Sequence, residues 1–211
     1  MASFPPNALR RRRAWSPHQV RFIVVAGPPC SGKSTVASHL SRALDVPHLE
    51  RDDFHRRLLP ESDHRVRDRD LVYRAMHLTA ERIAPWCPTL IVDATYTAAA
   101  CRDELLQVVE RTGGSLVVIE CHVDAAEAVE RFSSREAHPA ADLTPARVAA
   151  LAAQYPYCPA ARAVRATDDP AALVELLQRP DAAPLDGAGL AAWRRAGQPV
   201  RSDASDPSVT F

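Results

Sequence analysis

Two periods of hydrophobicity alternate along the chain. After its first residue, Arg21-Phe22-Ile23-Val24-Val25-Ala26 is an unbroken apolar run, as a strand buried on both faces requires. Thr89 to Asp93 and Ser115 to Val123 repeat this pattern, and Val46 to Glu50 and Ala163 to Ala166 are shorter versions. Between the runs the period becomes helical. Val36, Leu40 and Leu44 recur every four residues in Lys33 to Leu44, and Leu105 and Val109 do so beside Leu106 in Ala98 to Thr112, so each segment has one apolar face. Further helices are predicted over about Arg69 to Pro85, Ala125 to Glu136, Thr144 to Gln154 and Pro170 to Leu177. The local punctuation agrees: Thr144-Pro145 and Asp169-Pro170 read as an N-cap followed by a first-turn proline, while Pro88 and Gly113-Gly114 stand before strands. Strands alternating with helices predict an α/β fold, a parallel sheet covered by helices on both faces.

This pattern stops at both ends. Residues 1–19 hold Pro5, Pro6, Pro17, the run Arg10 to Arg13 and Trp15 without periodicity, and predict a flexible basic leader. The arginine run is either an anchor for an anionic polymer or a solvated tail. From residue 179 to 211 Pro, Asp, Ala, Gly and Ser dominate, which predicts a poorly ordered tail. Within it, Leu190, Ala191 and Trp193 could dock a short helix. The folded domain is therefore expected over residues 20–178.

Bulk composition narrows the partners. A chain of 211 residues suits one α/β domain with a tail. Its 26 basic residues balance 26 acidic ones, so no global field recruits nucleic acid or a membrane surface, and nucleic acid is not favoured as a partner. Five cysteines, odd in number and without metal-ligand spacing, fit reduced thiols and argue against zinc. No apolar stretch is long enough to span a bilayer, and Arg10 to Arg13 precede a strand rather than a signal-peptide core. Together these features predict a cytoplasmic protein; they carry no signature of oligomeric state.

The chemistry starts where the first strand ends. Gly27-Pro28-Pro29-Cys30-Ser31-Gly32-Lys33-Ser34 fits the pattern G-x-x-x-x-G-K-[ST], between a strand and a helix. Such a loop wraps backbone N–H groups around anionic oxygens at a helix N-terminus, and glycine stands where a Cβ would clash. Only seven glycines occur in the chain, and Gly27 and Gly32 are two of them. The expected ligand is ATP with Mg²⁺: amides of residues 28–35, Thr35 included, and Lys33 hold the phosphates, and Ser34 offers its hydroxyl to the metal.

A phosphate loop alone does not separate a kinase from an ATPase or GTPase, so the other strand ends decide. The second strand runs into Glu50-Arg51-Asp52-Asp53-Phe54-His55-Arg56-Arg57-Leu58. Adjacent carboxylates there suit proton acceptance from an attacking hydroxyl or Mg²⁺ binding, although Asp52 or Asp53 could instead cap the next helix. Asp52 is the candidate base; Asp53, His55 and Arg56 are candidate acceptor contacts, in surroundings that Arg51 and Arg57 also make basic. The third strand ends Leu90-Ile91-Val92-Asp93, which places Asp93 either against the Mg²⁺ shell or as a helix cap. After the fourth strand, Arg131 and Arg135 lie one helical turn apart and share a face, whereas Val129 and Phe132 point into the core. The two arginines could clamp the transferring phosphoryl group, or pair with Glu127 and Glu130.

In their order, GPPCSGKST, RDDFHR, IVDAT and ERFSSR resemble the P-loop kinases of adenylate-kinase-like architecture. Within these the similarity is to the group that holds polynucleotide 5′-hydroxyl kinases, zeta-type toxin kinases and chloramphenicol phosphotransferases, over about residues 20–178. The resemblance implies sheet order 2-3-1-4-5, an ATP-Mg²⁺ donor, a base at Asp52 and a lid bearing Arg131 and Arg135. RDDFHR is especially similar to the polynucleotide-kinase segment R-D-D-Y-R, whose first Asp is the general base. That group's substrate-phosphate arginine falls at His55 here, with Arg56 adjacent. The expected activity is transfer of the γ-phosphate of ATP to a hydroxyl of a small-molecule or polynucleotide acceptor. A nucleotide-dependent switch with little turnover and a polynucleotide 5′-hydroxyl repair kinase are the alternatives.

Overall fold

Each of the five apolar runs becomes a strand of one parallel sheet. The computed structural model describes residues 20–61, 66–134, 143–178 and 183–197. The strands are β1 (Arg21–Ala26), β2 (His48–Glu50), β3 (Thr89–Asp93), β4 (Ser115–Cys121) and β5 (Arg162–Val164), in the order β2-β3-β1-β4-β5 that the resemblance implies. The helices are α1 (Lys33–Leu44), α2 (Arg51–Leu58), α3 (Val66–Ile83), α4 (Ala99–Arg111), α5 (Ala125–Ser133), α6 (Pro145–Ala153), α7 (Pro170–Gln178) and α8 (Gly187–Ala196), with a short 3-10 turn over Ala84–Trp86.

The two faces of the sheet bury alternate residues of the same strand. Phe22, Val24 and Ala26 pack under α3, α4 and α8 through Tyr73, Met76, Leu105, Leu106 and Trp193. Ile23 and Val25 pack under α1 and α7 through Val36, Leu40, Leu173 and Leu177. A third cluster lies apart from these two. There Cys30 of the phosphate loop joins Val123, Ala128, Val148 and Ala152, and Val129 and Phe132 of α5 pack against it as their spacing predicts.

Helix ends follow the expected chemistry. Thr144 Oγ1 accepts the Arg147 N–H at the start of α6, and Asp169 Oδ1 accepts the Ala171 N–H at the start of α7. Gly113, at φ +62°, closes α4: its N–H reaches Glu110 O, and the Gly114 N–H reaches Val109 O.

Three expectations need correction. β2 begins at His48 rather than Val46, because the Val46 N–H is taken by Ser41 O and Pro47 has no N–H to give. α2 starts directly after β2, and Asp52 and Asp53 sit in its first turn; neither is the N-cap, which is Glu50. The tail is structured over residues 183–197, where α8 docks on α4 with Trp193 fully buried. The leader, Arg135 and the tail's last residues lie outside the described residues. Among those described, no helix is long and apolar enough to cross a membrane.

Candidate active site

β1 delivers the chain to the phosphate loop, and the loop's glycines are required by contact as well as by conformation. Gly27 has φ +153°, and a Cβ there would lie 2.6 Å from Ser31 Oγ and 2.9 Å from Cys121 O. Gly32, the N-cap of α1, has φ +86°, and its Cβ would collide with the Cβ of Ala166. Ser31 is fully buried, and its hydroxyl has no hydrogen-bond partner among the described residues. Lys33 and Ser34 follow as the first two residues of α1, where helix N–H groups are unsatisfied. Burial pushes the neighbouring Cys121 thiol up to about 12, so it stays protonated near neutral pH and is no nucleophile.

The β1–β3 register sets Asp93 opposite Val25, two residues before the loop. Asp93 shares with Ile91 the sheet face that α1 covers, as alternation along a strand demands. Its carboxylate is 1% exposed, and neither oxygen has a hydrogen-bond partner among the described residues; His48 Nε2 approaches Oδ2 to 3.5 Å. A buried carboxylate with so little compensation, beside the strand that feeds the phosphate loop, fits a cation shell. Asp93 caps no helix, since the N-cap of α4 is Ala98.

Glu50 is a candidate site residue that no sequence motif singled out. It is the register partner of Asp93 at the end of β2. Burial, then the charge of Asp93, raises its carboxyl above the ordinary range, with His48 and a hydrogen bond to Ser34 opposing. The available signal was its position as the last residue of a strand beside the phosphate loop.

The two aspartates of α2 separate. Asp52 Oδ1 accepts from Arg51 Nη1 at 2.9 Å, and its charge adds to those that raise the Glu50 carboxyl. Asp53 turns outward into ion pairs with Arg56, at 3.2 Å, and Arg57, at 2.8 Å. His55 is buried within the fold, and Arg56 is exposed. Asp53 and Arg56 thus meet each other at the surface, while His55 is turned into the fold.

Arg131 forms the ion pair with Glu127 that helical spacing allows, and it also reaches the phosphate loop. Its Nη2 pairs with Glu127 Oε1 at 2.6 Å, while Nη1 donates to the phosphate-loop carbonyls of Cys30, at 3.4 Å, and Ser31, at 3.3 Å.

A second network braces the segment after β3. Tyr96 has φ +48°, rare for a residue with a Cβ, and is held there from all sides. Its N–H donates to Tyr73 Oη, its carbonyl accepts from Arg102 Nε at 2.7 Å, and its hydroxyl meets His77 Nε2 at 3.0 Å. Thr95 beside it meets the Tyr73 hydroxyl at 3.1 Å and accepts from the Tyr155 hydroxyl through its carbonyl. Arg102 is fully buried and also donates to Trp193 O at 2.7 Å and Pro156 O at 3.1 Å, with Glu120 3.9 Å away. Its signal in the sequence was weak: it precedes Leu105, Leu106 and Val109 by three, four and seven residues, on the apolar face.

Known proteins agree with this architecture. The family model described as AAA domain matches residues 22–157. Among solved structures, a presumed kinase from Chloroflexus aurantiacus superposes with a TM-score of 0.66 at 22% identity, over 76% of this chain and 97% of that one. A sugar kinase from Janibacter sp. gives 0.56 at 18% identity, over 85% and 99%. A gluconokinase from Sinorhizobium meliloti gives 0.55 at 20% identity, over 84% and 95%. No curated protein sequence matches the chain. At these identities the likeness establishes the shared fold, the five-stranded parallel sheet in the order β2-β3-β1-β4-β5 with its helices.

Proposed function

The chain belongs to the AAA-domain family, and from that premise and the geometry of the site we propose that it is an ATP-dependent kinase acting on a hydroxyl acceptor in the cytoplasm. One observation carries the reading. Asp93, buried and without a hydrogen-bond partner among the described residues, ends β3 beside the strand that feeds a phosphate loop whose glycines leave space a Cβ would fill.

In this reading the loop amides and Lys33 hold the triphosphate, and Ser34 with Asp93 holds Mg²⁺. The metal supplies charge neutralisation between the phosphates. Asp52 accepts the proton of the attacking hydroxyl, and Arg51 fixes the orientation of its carboxylate through their 2.9 Å bond. Arg131 faces the charge that develops on the transferred group, with Arg135 as its companion one turn on. Preorganised donors of this kind each contribute several kcal/mol, roughly 2.7–4, in a dry site.

In this reading the acceptor hydroxyl sits beside Asp52 and its partner Arg51. An uncharged or anionic small molecule fits this setting better than a polynucleotide, since Arg56 is engaged by Asp53 and the chain has no net charge. The test is a screen of γ-labelled ATP with Mg²⁺ against sugars, nucleosides, antibiotic-type alcohols and 5′-hydroxyl oligonucleotides. Label transferred to one hydroxyl class supports the reading; no transfer to any class, with ATP bound, points to a nucleotide-dependent switch.

A further inference from the structure

Glu127 bonds two cations at once. Its Oε1 takes Arg131 Nη2 at 2.6 Å, and its Oε2 takes Arg165 Nη1 at 3.2 Å. The two arginines belong to different parts of the fold: Arg131 is on α5, and Arg165 follows β5, whose Val164 pairs with Cys121 of β4. Arg165 is itself fixed, because its N–H donates to Asp168 Oδ2 at 2.7 Å in the turn that leads to α7. The next residue, Ala166, is the one that closes on Gly32 at the head of α1. A polar chain therefore runs from the sheet edge through Arg165 and Glu127 to Arg131, and ends on the Cys30 and Ser31 carbonyls of the phosphate loop.

We propose that Glu127 is a positioning residue for Arg131, with Arg165 as its anchor on the sheet. A free arginine side chain loses considerable rotamer entropy when it is held against a ligand, and a carboxylate that fixes one nitrogen of the planar guanidinium removes much of that loss beforehand. The carboxylate also offsets the repulsion between the two guanidinium groups that it holds together. Cys30 supports the same alignment: its side chain sits in the α5–α6 cluster, so the loop and the helix bearing Arg131 share one apolar contact. The inference rests on the kinase reading in two respects, that the loop binds a nucleoside triphosphate and that Arg131 reaches it.

The test is equilibrium titration of the full chain with the non-hydrolysable analogue AMPPNP and Mg²⁺, which needs no acceptor. Glu127→Ala and Arg131→Ala should each weaken binding about fivefold to tenfold, and the double variant should bind no more weakly than Arg131→Ala alone. Arg165→Ala should resemble Glu127→Ala, and Arg165→Lys should restore part of the loss. Additive losses in the double variant would overturn the positioning role and leave the kinase reading standing. Wild-type chain that does not bind AMPPNP would overturn both. Circular dichroism and thermal melts on each variant separate a local effect from misfolding, which the partial exposure of Glu127 makes an unexpected outcome.

Discussion

Val25 of β1 and Asp93 of β3 are partners in the parallel register, so the strand that enters the phosphate loop ends beside the strand that carries the buried carboxylate. That adjacency gives each element its chemical meaning. A phosphate loop alone binds a triphosphate, and a strand-end aspartate alone is a buried charge that lacks compensation.

Replacing Asp93 by Asn keeps the shape and removes the charge. The Mg²⁺-dependent part of AMPPNP affinity should disappear while binding without metal persists, measured by titration with and without Mg²⁺. Thermal stability should not fall, because a buried charge without hydrogen bonds is relieved.

Gly32→Ala should be severe for two independent reasons. The backbone sits at φ +86°, where a Cβ costs about 1–3 kcal/mol, and the methyl group would run into Ala166. A melting temperature several degrees lower and loss of nucleotide binding are expected.

Arg102→Ala would leave the Tyr96, Trp193 and Pro156 carbonyls without their shared donor and Glu120 without its buried counter-charge. Removing one member of a buried ionic group costs about 3–5 kcal/mol. In a background lacking Trp15 and Trp86, the emission of buried Trp193 should shift to the red as α8 loosens.

Those residues also mark how far the sequence could be read. Arg21–Ala26, Lys33–Leu44 and Thr89–Asp93 emerge with the bounds their periodicity predicts, because continuous apolar runs and four-residue spacing report burial directly. α2 left almost no periodic trace, since His55 is its one buried residue. α8 begins with Gly187 and Gly189, so its propensity is weak and only the apolar group Leu190, Ala191 and Trp193 pointed to a docked helix there. The phosphate loop and Asp93 were legible as motif and strand end. Glu127 with Arg165 was not: 38 residues separate them, and the contact exists only once β5 lies beside β4.

Glu50 makes stability depend on pH in a defined direction. Its folded-state pKa lies above its ordinary value, so the folded state holds more protons than the unfolded state between the two values. Stability contributed by this group is therefore present below the ordinary carboxylate pKa and is lost as pH rises through the raised one. Glu50→Gln should raise the melting temperature at pH 7, with the gain shrinking as the pH falls through the raised value toward the ordinary one.

The most direct measurement is steady-state phosphoryl transfer by wild type and Asp52→Asn, with γ-labelled ATP, Mg²⁺ and the acceptor that the screen identifies. The kinase account predicts wild-type transfer reduced about 10²–10⁴-fold in kcat by the variant, with AMPPNP affinity unchanged. Equal rates for the two proteins would contradict Asp52 as the base, and wild type that transfers label to no hydroxyl would contradict the kinase itself.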